Sequence, residues 1–101
     1  MIAITQDIRS RFPSSFRKVR RERIRCVRLE VDLYYVARRA DGHGQYLVRF
    51  FNKGQDVTAV CGTINNERCK GSFNDRCCVH IAAAVESGIK HGRKRRETRA
   101  A

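Results

Sequence analysis

The chain has 101 residues and a formal net charge of +12, which leaves room for one small domain and excludes a large multidomain enzyme. Hydrophobic residues make up 42% and charged residues 32%, so a packed core under a very polar coat is expected rather than a disordered chain. No apolar run approaches the roughly 18 residues of a membrane span, and Met1–Asp7 lacks the basic opening and long apolar stretch of a signal peptide. The expectation is an intracellular protein, in cytoplasm and nucleoid or in a nucleus, with no membrane partner.

Residues 1–25 read as a basic N-terminal helical segment, with eight Arg and Lys against Asp7 and Glu22. Ile4, Ile8 and Phe12 recur at helical spacing, which predicts a short helix over 3–12 entered at Thr5 and ended by Pro13. Ser14 or Ser15 then offers a hydroxyl to cap a second helix running to about Arg23. Phe16, Val19 and Arg23 share one side of that helix, and Arg17, Lys18, Arg20 and Arg21 occupy much of the rest, followed by Arg25. A basic helix face of this kind is often no more than a solvated surface.

From Cys26 the period changes to two. Val27, Leu29, Val31, Leu33 and Tyr35 alternate with Arg28, Glu30, Asp32 and Tyr34, the pattern of a half-buried strand. Asp41-Gly42-His43-Gly44 predicts a turn. A second strand follows over 45–51 with Tyr46, Val48 and Phe50 on one face. Asn52-Lys53-Gly54 turns again, and a third strand over 56–60 enters Cys61. His80-Ile-Ala-Ala-Ala-Val-Glu-Ser predicts a helix with Ile81 and Val85 on one side, and Gly88 suits the left-handed position after it. The fold class expected is therefore small α+β: a three-stranded antiparallel meander followed by a short helix, with the N-terminal helices as an appendage. Residues 26–89 form the expected domain, and 90–101 a basic tail.

Five cysteines, at 26, 61, 69, 77 and 78, are an odd number, which disfavours a disulfide framework and fits a reducing compartment. Four of them fall between positions 61 and 78, beside His80. Thiolate sulfur and imidazole nitrogen are the preferred ligands of tetrahedral zinc, and a structural site uses four such groups with no open position. Two residues separated by one helical position point roughly 200° apart. A Cys78-x-His80 pair therefore reaches one metal only if Cys78 precedes the helix and His80 lies in its first turn. Cys26 lies in a strand pattern and reads as a core thiol, while His43 and His91 read as surface residues.

The run Cys78-Val-His80-Ile-Ala-Ala resembles the closing half of the SWIM-type zinc finger, Cys-x-Cys followed after a variable gap by Cys-x-His. The preceding meander, with Tyr35-Val36, Tyr46-x-Val48 and a strand entering the first cysteine, is also similar, and the resemblance covers roughly residues 26–88. It implies a hairpin or meander and a short helix around one structural zinc, and a role in binding DNA or proteins rather than in catalysis. The chain departs from the pattern at the second cysteine, where Thr63 stands. Cys69 is the nearest substitute, giving Cys61, Cys69, Cys78 and His80 as the expected zinc ligands. Cys77 is an alternative to Cys78, but only Cys78 keeps the Cys-x-His spacing.

The charge is unevenly placed: +6 in residues 1–25, +1 in 26–89 and +5 in 90–101. Of the 22 cations 17 are Arg, whose planar fork pairs bidentately with phosphate. Nucleic acid, DNA foremost, is the expected partner. The expected contacts are Arg17, Lys18, Arg20, Arg21, Arg23 and Arg25 in the first arm, and Arg93, Lys94, Arg95 and Arg96 in the second. No phosphate loop, catalytic triad or acid placed to serve a metal-bound water is visible, so neither an enzyme nor a small-molecule substrate is expected. The competing reading is a protein-interaction adaptor, or a regulator carried by a phage or mobile element, that grips a protein partner through the zinc domain.

Overall fold

The computed structural model describes residues 2–38, 44–54, 56–65, 67–71 and 76–88. The elements in chain order are β1 (Ile2–Ala3), α1 (Ile8–Arg11), α2 (Pro13–Arg21), β2 (Arg25–Glu30), β3 (Leu33–Ala37), β4 (Tyr46–Lys53) and β5 (Asp56–Thr63), then a helix α3 over residues 79–88. The strands form one antiparallel sheet in the order β1-β5-β4-β3-β2. It is a four-stranded meander with β1 added at the free edge of β5, so the α+β class stands and the sheet has five strands where three were expected.

The extra strands have two origins. The alternating run expected as a single strand breaks at Val31-Asp32 into the β2–β3 hairpin, with a register shift between Arg28 and Glu30. Asp32 remains in the fold by accepting from the Phe50 amide at 2.8 Å. The break also changes which face is buried. Cys26 pairs with Val36, and Tyr34 with Val48; Tyr34 and Val36 are buried, whereas Val27, Leu29 and Val31 are 38%, 53% and 67% exposed. The expected inward face of β2 is thus the outward one. Apolar residues of both parities occur between 33 and 36, so alternation alone did not choose the face, and α3 covers only one.

β4 and β5 keep their expected pattern. Val48 is buried, with Tyr46 and Phe50 half-buried and packed against the core, and Phe50 meets Tyr34 edge to face at 5.7 Å. Gly54, at φ 64°, supplies the left-handed backbone that closes the β4–β5 hairpin. The turn expected at Asp41–Gly44 lies outside the described residues except for Gly44. Gly88 does not take the expected left-handed position, because α3 continues through it. A Cβ there would approach the Tyr34 hydroxyl to 3.3 Å, so the residue serves close packing of helix on sheet.

The N-terminal segment is part of the body, not an appendage. Ile2, Ile8 and Phe16 are buried in the same apolar cluster as Tyr34, Val36, Val48 and the α3 residues Ile81, Ala82 and Ala84. β1 pairs with β5, and the Ile4 amide extends that pairing to the Val57 carbonyl at 2.8 Å. Arg9 bridges to Glu86 of α3 at 3.0 Å. Pro13 stands just past the end of α1, which stops at Arg11 with Phe12 as its C-cap, and it also opens the next helix: it is the first residue of α2, where its missing N–H costs nothing. Neither Ser14 nor Ser15 caps, since the N-cap position is Phe12 and has no side-chain cap bond. Among the described residues no helix is long and apolar enough to cross a membrane.

Candidate metal centre

Four side chains from three segments converge at one end of the sheet. Cys61 lies on the inner face of β5, Cys69 in the loop that follows, Cys78 just before α3 and His80 in its first turn. Their ligand atoms all lie within 4.8 Å of one another and all four residues are buried. The Cys69 Sγ to His80 Nδ1 distance is 3.5 Å. A tetrahedral ion at about 2.3 Å from sulfur and about 2.0 Å from nitrogen sets ligand edges of roughly 3.5–3.8 Å, so the cluster is near the dimensions such an ion needs. A buried set of three thiols and one imidazole can hold a metal ion.

The local sequence explains how each donor arrives. At the position of the expected second cysteine, Thr63 fastens the loop instead. Its N–H donates to the Glu67 carbonyl at 2.7 Å and its hydroxyl accepts from the Glu67 amide at 3.1 Å. The chain then folds back along β5, through a bridge between Gly62 and Arg68, and the Cys69 amide donates to the Cys61 carbonyl at 3.2 Å. The longer spacing is therefore absorbed by a tied loop that returns Cys69 beside Cys61. Gly71 completes the fit: a Cβ there would stand 3.1 Å from the Cys78 Cβ, closer than ordinary packing allows.

Cys78 and His80 meet the geometric condition set by their spacing. Cys78 precedes α3, its Sγ accepts from the Ile81 amide at 3.5 Å, and its carbonyl accepts the Ala82 amide at 3.0 Å. The sulfur thus caps the helix that carries His80. The imidazole is held by stacking on Tyr46 of β4, centroids 3.8 Å apart and planes 18° from parallel, a support that the sequence offered no signal for. The thiols share protons unequally. Hydrogen bonds from Cys61 and Cys78 hold the Cys69 thiol below its usual range, whereas bonding to Cys69 and Cys78, with burial, raises that of Cys61. Negative charge on one sulfur opposes charge on the next, so three thiolates together require a cation among them.

Cys77 does not join the cluster. Burial, with the charge of Cys78, pushes its thiol up to about 12, and its carbonyl accepts the Ser15 hydroxyl at 2.7 Å. Ser15 thus fastens the first turn of α2 to the segment entering the cluster. Ser15→Ala leaves that carbonyl without its protein donor and should lower stability by about 1 kcal/mol, read as a shift of the denaturant midpoint with unchanged slope. A shift smaller than the error of the measurement would show the bond to be incidental. Cys26, expected as a core thiol, is half-buried against the core.

Arg17, Lys18, Arg20 and Arg21 all lie exposed on α2; Arg17, Lys18 and Arg21 face away from buried Phe16 and half-buried Val19, while Arg20, one turn after Phe16, flanks that side. Arg23 and Arg25 are also exposed, but Arg23 does not share the Phe16 side, because the helix ends at Arg21 and the chain extends at Glu22. Arg38 holds Glu22 through two bonds of 2.9 and 2.8 Å, which anchors this end of α2 to β3 and holds the Glu22 carboxyl below its usual range. Arg93, Lys94, Arg95 and Arg96, with His43 and His91, lie outside the described residues. Comparison with protein families, curated proteins and solved structures finds no match for this chain.

Proposed function

We propose that this is a small SWIM-like zinc protein that binds nucleic acid, DNA foremost, through phosphate contacts, with the zinc structural rather than catalytic. The donor set supports zinc: three thiolates and one imidazole suit a borderline-soft tetrahedral ion, and four protein ligands leave no position for a reacting water. The observation that carries the nucleic-acid reading is the division of α2, whose buried side locks into the core while Arg17, Lys18, Arg20 and Arg21 stand in solvent on a rigid support. A fixed row of cations meets a phosphate backbone with less ordering cost than a free tail.

Each phosphate neutralised releases counterions, so binding to mixed-sequence duplex should weaken with salt at a log–log slope of about −0.9 per contact. With four to eight contacts, affinity should drop roughly 10²- to 10⁴-fold between 50 and 200 mM salt. Failure of the wild-type protein to bind duplex or single strands at 50 mM salt would overturn this function.

The adaptor reading draws on a different observation. The outer face of the sheet has no covering layer among the described residues, and Val27, Leu29 and Phe51 stand exposed on it. Leu33, Leu47, Phe51 and Val60 line a groove of about 410 Å³ there, with Arg49 and Arg68. An apolar groove with Arg49 at its middle, between Leu33 and Val60, and with Arg68 and Glu67 also in its lining, suits an aliphatic protein segment that carries an acid. Pull-down from lysate with and without nuclease treatment separates the two readings, since only a nucleic-acid-mediated capture is lost with nuclease.

A further inference from the structure

The body of the protein carries a cationic site that the charge count along the chain conceals. A half-open cleft of about 780 Å³ runs between the N-terminal helices and the loop that bears the metal cluster. Arg11, Lys18, Arg38, Arg68, Lys70 and Arg76 line it, and among the described residues Glu67 is the acid of the lining. Arg38 is engaged with Glu22, so the site rests on Arg11 and Lys18 from one wall and Lys70 and Arg76 from the other. Residues 26–89 sum to only +1, yet among the described residues Glu30, Asp32, Asp56 and Glu86 stand outside the cleft lining. Two helix ends reinforce the potential: the first turn of α2, Pro13 to Ser15, and that of α3, Val79 and His80, both line the cleft. Each presents the positive end of its dipole there, and α2 has no side-chain cap.

We propose that this cleft seats a stretch of nucleic-acid phosphodiester backbone, and that the metal centre's role in binding is to hold one of its walls. The inference rests on the nucleic-acid reading above and gives that reading a location. Lys70 follows Cys69 directly and Arg76 stands two residues before Cys78, so a metal held by those cysteines would anchor the chain beside each cation. The Ser15 hydroxyl, bonded to the Cys77 carbonyl at 2.7 Å, joins that loop to the opposite wall. Lys18 belongs both to the cleft and to the exposed side of α2, so a backbone leaving the cleft next meets Arg21 and Arg17 on that side. That continuity, and the open form of the cleft, favour a polymer over a single nucleotide.

Two charge-matched variants test the location. Lys70→Ala with Arg76→Ala removes two cleft cations, and Arg28→Ala with Arg49→Ala removes two from the sheet, outside the cleft lining. Long-range attraction falls equally in both, so a difference reports contact. The cleft pair should flatten the salt slope for mixed-sequence duplex by about 1.8 and weaken binding at least tenfold more than the sheet pair. Because loop substitutions can disturb metal retention, amine-reactive footprinting of the wild type supplies an independent reading: bound duplex should shield Lys18 and Lys70. Equal slopes for the two variants, or labelling of Lys18 and Lys70 unchanged by saturating duplex, would overturn the cleft while leaving nucleic-acid binding itself intact. Absence of any wild-type binding at 50 mM salt would instead remove the underlying reading. Shielding by excess pyrophosphate or ATP as strong as that by duplex would assign the cleft to small phosphates and overturn the backbone proposal.

Discussion

Chelation should unfold this protein, and Cys78→Ser should come close to doing the same, while Cys77→Ser leaves a folded, metal-loaded chain. The reason is the ratio of two energies. A structural zinc site contributes an apparent 10–16 kcal/mol or so to the folded state of a small finger, whereas the whole net stability of a domain is about 5–15 kcal/mol. Here the cluster joins the end of β5, the returning loop and the start of α3, so its loss frees three segments together. Cys78 is doubly placed, since its sulfur also caps α3 through the Ile81 amide. Cys77 contributes a buried thiol and a carbonyl, and exchanging its sulfur for oxygen should cost no more than about 1–3 kcal/mol.

The measurements are metal content, with one equivalent per chain expected, and denaturant unfolding with and without chelator. Acid should imitate the chelator. The released thiolates and imidazole take up protons that the metal-bound state excludes, so the unfolded chain binds more protons and stability falls as pH is lowered. Substoichiometric metal together with unfolding unaffected by chelation would sink the metal claim. Greater damage from Cys77→Ser than from Cys78→Ser would move the ligand to Cys77.

The parts of this fold legible in the sequence are those where one residue type has one use. Three cysteines and a histidine at these spacings come together in the fold as a buried cluster that could hold an ion, and sharing one ion across the Cys78-x-His80 spacing requires α3 to start between them. Gly54 marks its turn because a side chain there would be strained. The parts not legible lack such markers. Val31-Asp32 turns without a glycine, asparagine or proline to announce it, and the bulge after Arg28 then shifts the register, so a correct period led to the wrong face. Pro13 announces the end of one helix and, less visibly, the start of the next: α1 stops at Arg11 and α2 begins at Pro13 itself. Cations at 11, 18, 70 and 76 are scattered in sequence and become one wall-to-wall site only through the fold.

Helix α2 should give opposite results on its two sides. Phe16 is 5% exposed and sits in the core with Ile8 and Ile81. Phe16→Ala should cost about 3–5 kcal/mol, a large share of the 5–15 kcal/mol or so available, and the denaturant midpoint should fall accordingly. Arg17→Ala, Arg20→Ala and Arg21→Ala combined should move stability by no more than about 0.5 kcal/mol per site, as for solvent-exposed positions. The same triple should flatten the salt slope of duplex binding by up to about 2.7, at 0.9 per lost contact. Phe16→Ala should keep the wild-type slope under conditions where it remains folded. A cost below about 1 kcal/mol for Phe16→Ala would return residues 2–21 to the status of an appendage. If the arginine triple unfolds the chain instead, the row serves the fold, and its cations cannot be assigned to phosphates by loss of binding. Phe16, with Phe12 and Val19, fixes the backbone of α2 on the core, so on the proposed function only the side chains of its cations would lose freedom when a phosphate backbone binds.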